Sequence, residues 1–162
     1  STRFAYTTLF RSIINKGGCN LSFAGLKTAV LKIAVNLKTK QEKFDLAASF
    51  QKTIEEILYE KSKIAFDEFR KINGNNNNLF IVAGGVASNN KIREVLKNLS
   101  LKENFQPIFP PIKFCSDNAA MIAMVGLEKF KKKEFHKLDY PAKPRWPLDE
   151  SAAYLKGAGV KL

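Results

Sequence analysis

The apolar run Leu79-Phe80-Ile81-Val82-Ala83 stops at Gly84-Gly85, and a helical pattern starts a few residues later. No other feature limits the fold as strongly. A short, unbroken apolar run between turn residues suits a strand buried on both faces, as in parallel sheets covered by helices. A parallel neighbour needs a crossover connection. Ile92, Val95, Leu96 and Leu99 supply one at helical spacing, ahead of a second strand at 106–109 closed by Pro110-Pro111. Asn89 or Asn90 can cap the crossover helix, because a short side-chain oxygen accepts from free backbone N–H groups.

Helical patterns flank this unit. Leu26, Ala29, Val30, Ile33 and Leu37 recur on one face, with Lys27, Lys32 and Lys38 on others. A longer pattern runs through Ala47, Phe50, Ile54, Ile57, Leu58, Ile64, Ala65, Phe69 and Ile72, with Asp45 as the expected N-cap, and ends at Gly74 and Asn75–Asn78. Asp117 or Asn118 opens a last helix through Ala120, Met121, Met124, Val125 and Leu127. The order helix, strand, turn, helix, strand, helix is an α/β pattern with one mainly parallel sheet flanked by helices.

Composition narrows the partners. The 162 residues are 45% apolar and 26% charged, the balance of one globular domain, and carry a net charge of +12. An excess of that size attracts polyanions, nucleic acid among them, although a lysine-rich chain also simply keeps itself soluble. No apolar run approaches the roughly 20 residues of a membrane span. Cys19 and Cys115 stand in no metal-ligand spacing and read as reduced thiols of a cytosolic protein. Residues 126–146 hold seven basic and three acidic side chains with Tyr140 and Trp146 among them, a pattern that fits RNA contact or a tail anchored by Trp146. Residues 1–12 lack any clear period, and Tyr6-Thr7-Thr8-Leu9-Phe10-Arg11-Ser12 reads like a translated sequencing adapter, so they are set apart as an expected non-native scar. No charged-then-apolar leader with a small-residue cleavage site is visible either.

Three segments carry candidate chemistry. Val82-Ala83-Gly84-Gly85-Val86-Ala87-Ser88-Asn89 places a diglycine between strand and helix, where backbone can approach a ligand without Cβ interference. It is neither a GxGxxG nor a P-loop, and a tight βα turn that binds nothing has the same spelling. The amide of Asn89 suits a ribose or base edge as well as a cap. In Cys115-Ser116-Asp117-Asn118-Ala119-Ala120-Met121, Asp117 can cap a helix or bind a metal, and Cys115 can be a soft ligand or a buried structural thiol. Phe23-Ala24-Gly25-Leu26-Lys27-Thr28-Ala29 puts Lys27 in a first helical turn, either solvated or against a phosphate. His136, the single histidine, sits among lysines and reads as a surface residue.

Together with Asp45-Leu46-Ala47-Ala48-Ser49-Phe50-Gln51 and Pro144-Arg145-Trp146, these segments resemble, in order and wording, the C-terminal part of the tRNA adenosine threonylcarbamoyltransferase family. The resemblance runs from about Ile14 to Glu150. It implies the C-terminal lobe of an actin-like ATPase (ASKHA) fold over residues 13–150, with 151–162 as a tail. It also implies transfer of a threonylcarbamoyl group from threonylcarbamoyl-adenylate to the adenosine next to the anticodon of tRNAs reading codons that start with A. By motif, Asn89 matches the family's substrate-binding asparagine, Gly84 and Gly85 its nucleotide-facing turn, and Asp117 its ligand to an iron or zinc ion. Implied partners are tRNA, the N-terminal lobe, and the bacterial transfer proteins TsaB and TsaE, all in the cytoplasm.

The sequence lacks the family's His-x-x-x-His metal motif and its glycine-rich phosphate segments, which belong to the N-terminal lobe. The chain therefore reads as part of a larger enzyme and is expected to be inactive alone. The alternative is a non-catalytic nucleotide- or RNA-binding module of the same fold. A generic basic interaction domain would explain the charge but not the ordered motifs.

Overall fold

A computed structural model describes residues 6, 7, 10, 18–74 and 78–142. The expected scar is thus described only at Tyr6, Thr7 and Phe10, while Asn75 to Asn77 and the Pro144-Arg145-Trp146 motif lie outside the described residues. The chain divides into two compact units, Ser1–Ala120 and Met121–Leu162.

The first unit is organised by helix α2, Lys40–Asn73, which follows helix α1, Ala24–Ala34. At 34 residues α2 is about 50 Å long, enough to serve two separate cores. Its start is a capping box. The Thr39 hydroxyl accepts from the Glu42 N–H at 3.1 Å, and the Glu42 carboxylate accepts from the Thr39 and Lys38 N–H groups at 2.8 Å each. Those donors, with the Thr39 backbone bond foremost, hold the Glu42 carboxyl below the ordinary glutamate range. The expected cap, Asp45, lies inside the helix and accepts instead from Gln41 at 2.9 Å. Thr-x-x-Glu prevails because it satisfies orphan donors from both directions, which a lone aspartate cannot. Gly74 closes the helix at φ 64°, a left-handed conformation suited to glycine.

Near its N-terminal half, α2 packs against α1 through Leu26, Leu46 and Ile57, with Ala29, Val30, Ile33 and Leu37 around them and Phe10 fully buried among them. The buried stripe of α2 continues through Ser49 and Thr53, while Ala47 and Phe50 are exposed. The sequence pattern had placed Ala47 and Phe50 on the apolar face. Small hydroxyls can replace them inside because they bond locally: Thr53 Oγ1 donates to the Ser49 carbonyl at 2.8 Å, and the Tyr6 N–H donates to Ser49 Oγ.

The C-terminal half of α2 covers a βαβ unit: β1 (Leu79–Ile81), a 3₁₀ turn (Gly85–Ser88), α3 (Asn90–Lys102) and β2 (Gln106–Ile108). The strands pair in parallel, with Phe80 opposite Pro107. Phe66 of α2 stacks on Phe105 at 4.0 Å and meets Phe80 edge-on at 4.8 Å, with Leu99 of α3 completing the cluster. Arg70 fastens the same end: its guanidinium donates to the Glu103 carbonyl at 2.6 Å and carboxylate at 2.9 Å and lies over the Phe105 ring.

One expectation fails here. The strands are not buried on both faces: Phe80 and Pro107 are half-buried, whereas Leu79, Ile81 and Ile108 on the opposite face are exposed. Among the described residues the sheet has two strands and helices pack on one side, so a continuous apolar run leaves every second side chain uncovered. The second strand also stops one residue early, at Ile108.

After a 3₁₀ turn at Ile112–Phe114, helix α4 spans Ala119–Lys131, nearly all of it in the second unit. There Phe130 meets Phe135 at 5.9 Å, and His136, exposed as expected, lies 4.5 Å from Tyr140. Among the described residues no helix is long and apolar enough to cross a membrane.

Leu99 is 1% exposed at the centre of the aromatic cluster. Leu99→Ala is therefore expected to destabilise the first unit by about 2–5 kcal/mol through lost transfer energy and a residual cavity, read as a shifted denaturation midpoint.

Candidate functional site

The turn after β1 has the geometry its diglycine implies. Gly84 sits at φ 90°, ψ 174°, a backbone state that side chains rarely adopt. Among the described residues, and apart from the immediate chain neighbours, nothing comes within 4 Å of where a Cβ would lie on Gly84 or Gly85, so the space beside both glycines is open. The chain then winds through Gly85–Ser88, closed by the Ala87 N–H on the Gly84 carbonyl at 3.0 Å and by Ser88 Oγ on the Gly85 carbonyl at 2.6 Å.

Asn89 is the N-cap of α3. Its Oδ1 accepts from the Lys91 N–H at 3.0 Å and the Ile92 N–H at 3.2 Å. The Lys91 and Ile92 N–H groups at the start of α3 are thus already engaged by this cap. On the other side of the amide, Nδ2 donates to Gln51 Oε1 at 3.0 Å, and Gln51 Nε2 donates back at 3.4 Å. Gln51 Nε2 also donates to the carboxylate of Glu55, which is 9% exposed. Two backbone donors and one amide donor fill Oδ1, so Asn89 retains one Nδ2–H to offer a ligand. Beside it, Lys91 is held above the ordinary lysine value, first by its hydrogen bond to Glu94, then by the charge of Glu94 and, more weakly, of Glu55.

The second segment follows the 3₁₀ turn at Ile112–Phe114 on the loop after β2. Cys115 is a free thiol, buried, with its Sγ against the Pro110 and Pro111 carbonyls at 3.8 and 3.7 Å. Of the two uses open to it, the structural one matches this setting. Asp117, two residues on, is exposed and has no hydrogen-bond or ion-pair partner among the described residues. The Asn118 amide donates to the Ser116 carbonyl at 2.8 Å, and α4 starts directly after.

Arg93, in the first turn of α3, reaches both segments. Nη1 donates to the Ala87 carbonyl at 2.9 Å, Nη2 donates to the Pro110 carbonyl at 2.5 Å, and the guanidinium covers the Phe109 ring at 5.0 Å. Cys115 Sγ lies 3.8 Å from Nη1. Neither Gln51 nor Arg93 was singled out in the sequence. Gln51 stood in a recognised motif, one helical turn before Glu55, and that i,i+4 relation was its only signal. Arg93 had none, because its partners are backbone carbonyls. Lys27 is exposed on α1, whose first turn includes Gly25.

For a metal, the donor chemistry is partial. An unpartnered carboxylate on Asp117 suits iron or zinc, but no group of three His, Cys, Asp or Glu able to hold an ion occurs among the described residues. Of the residues described, Asp117 could supply one carboxylate donor to such an ion.

The glycine turn and the Asp117 carboxylate lie on the loops that follow two parallel strands, the position at which ligands sit in open α/β sheets. A family profile described as tRNA N6-adenosine threonylcarbamoyltransferase matches residues 2–124, which include both segments. A protein of that name from Pelagibacter ubique (strain HTCC1062) is 73% identical over 152 residues, covering 94% of this chain and 43% of the relative. One from Rickettsia massiliae (strain Mtu5) is 43% identical over 143 residues, 86% of this chain and 42% of the relative. One from Dinoroseobacter shibae (strain DSM 16493 / NCIMB 14021 / DFL 12) is 41% identical over 157 residues, 93% of this chain and 43% of the relative. The chain belongs to the tRNA N6-adenosine threonylcarbamoyltransferase family. It spans about two fifths of the length of these relatives, in their C-terminal part.

Gln51→Ala is expected to leave the Asn89 cap in place but strip partners from Nδ2 and from the largely buried Glu55. The cost is about 1–3 kcal/mol by urea denaturation at neutral pH.

Proposed function

We propose that this chain is the C-terminal part of an enzyme that transfers threonylcarbamoyl from threonylcarbamoyl-adenylate to the exocyclic amine of the adenosine next to the anticodon, in tRNAs reading codons that start with A. The observation that carries the reading is the family match across residues 2–124, which contains the 84–89 turn and Asp117 together. The fold proposed for the chain is the C-terminal lobe of an actin-like ATPase, and the small parallel sheet with helices is compatible with it.

In the reaction, the amine nitrogen forms a bond to the carbamoyl carbonyl carbon, the bond from that carbon to the phosphate oxygen of AMP breaks, and the amine proton passes to solvent. Gly84 and Gly85 leave open backbone beside the nucleotide, and the remaining Nδ2–H of Asn89 donates to it. Gln51 keeps that amide from rotating away. Asp117 contributes one carboxylate to an iron or zinc ion. Bound there, the ion supplies Lewis-acid polarisation of the carbamoyl-adenylate. The other ligands come from an N-terminal lobe, as does the remainder of the pocket, so the chain alone is inactive. The setting is the cytoplasm, with tRNA and the transfer proteins TsaB and TsaE as partners. For residues 1–12, the family match from residue 2 and the buried Phe10 favour native sequence over the expected scar, and resequencing the locus decides. A scar predicts that the adapter-like stretch is absent from the intact gene.

The functional test uses the Pelagibacter ubique relative with its C-terminal part replaced by this chain. The chimera is expected to transfer threonylcarbamoyl to tRNA, and the chain alone is not. Asp117→Ala should weaken zinc binding by more than the roughly 10–100-fold typical of an outer-shell partner. Asn89→Ser keeps a capping oxygen but loses the amide donor, and should raise the KM for the adenylate about fivefold, the worth of one hydrogen bond. A chimera that folds and binds adenylate but transfers nothing would favour the non-catalytic module. Unchanged metal affinity in the first variant, or an unchanged KM in the second, removes that residue from the site.

A further inference from the structure

Past the end of the β1–β2 ladder, the two candidate segments are no longer joined by backbone. The last ladder bond runs from the Val82 N–H to the Ile108 carbonyl at 3.0 Å. Beyond it, among the described residues, no backbone hydrogen bond connects 84–89 with 109–118. What connects them is the side chain of Arg93. One arm of its guanidinium holds the Ala87 carbonyl inside the glycine turn, and the other holds the Pro110 carbonyl at the start of the loop that leads to Asp117. The Phe109 ring lies against the guanidinium plane, and the Cys115 thiol, beside Nη1 and the Pro110 and Pro111 carbonyls, fixes the far end of that loop. The Arg93 backbone N–H adds a bond to the Asn89 carbonyl at 3.0 Å, so the residue that spans the gap is also tied to the cap. Arg93 has no carboxylate partner among the described residues. Its donors are spent on carbonyls, a use that suits a rigid planar fork and not a charge pair.

We infer that Arg93 is a positioning residue that sets the glycine turn and Asn89 at a fixed separation from Asp117, so that a ligand held by one segment meets the ion held by the other. This rests on the site reading proposed above. Arg93 itself touches neither substrate nor metal. It acts through the Ala87 and Pro110 carbonyls, and a lysine, with one ammonium on a flexible stem, cannot grip both while lying flat on Phe109.

The experiment uses the full-length chimera and compares Arg93→Lys, Arg93→Met and Asp117→Ala by zinc competition against a chelator, by kcat and KM for the adenylate, and by thermal denaturation. Both Arg93 variants are expected to bind zinc about 10–100-fold more weakly, as outer-shell partners do, and to lose kcat, with lysine the milder. If Arg93 only stabilised the fold, the melting temperature would fall while zinc affinity, kcat and KM of the folded enzyme stayed at wild-type values. That result overturns the inference. Should Arg93→Met fail to fold, Arg93→Lys carries the comparison. Asp117→Ala separates the two levels: if it releases zinc while both Arg93 variants keep wild-type affinity and kinetics, the site reading stands and the positioning role is wrong. If Asp117→Ala keeps zinc, the site reading fails and the inference with it.

Discussion

Phe66 is where the first unit is held together. Its ring lies flat on Phe105, the residue that leads into β2, and meets the edge of Phe80 in β1, so one side chain of α2 grips both strands of the parallel pair. Stacked and edge-on aromatic contacts add about 0.5–1.5 kcal/mol per pair beyond the area they bury. Their larger effect is geometric. With both strands fixed against α2, the loops that leave them start from defined points, and α3 is held between by Leu99. The same long helix brings Gln51 to Asn89 within two turns of its buried Ile57, so strand placement and cap placement are set by one rigid body.

That arrangement gives Asn89 two tasks. Its oxygen is consumed in capping the start of α3, and its nitrogen is half consumed by Gln51. A residue committed in this way has little rotational freedom left, and a fixed donor binds a ligand without first losing conformational entropy. Capping and recognition, which compete as explanations when only the letters are read, are compatible in space because they use different atoms of one amide.

How far the sequence carried the fold depends on the kind of signal. The parallel βαβ unit was legible because the apolar run, the diglycine and the period of Ile92 to Leu99 all agree. The start of α2 was misplaced at Asp45, although Thr39-x-x-Glu42 carries a stronger capping pattern. The inward face of α2 was misread because Ser49 and Thr53 are buried while Phe50 is not, and hydropathy cannot see a hydroxyl satisfied by its own helix. At the site, Gly84 and Asn89 announced themselves through turn and cap chemistry. Arg93 did not, since its partners are carbonyls that every residue possesses. Asp117 gave the letters of a cap or a ligand, and only the likeness to a family assigned it a metal.

The uncovered side of the two-stranded sheet has a practical meaning. Leu79, Ile81 and Ile108 line up on one surface of strands that, among the described residues, pair only with each other. Such a surface is a template for adding another strand or for sticking to a like surface. Handled as a separate polypeptide, the chain is expected to adhere to its own kind at that plane, and additives that weaken apolar contact should keep it apart.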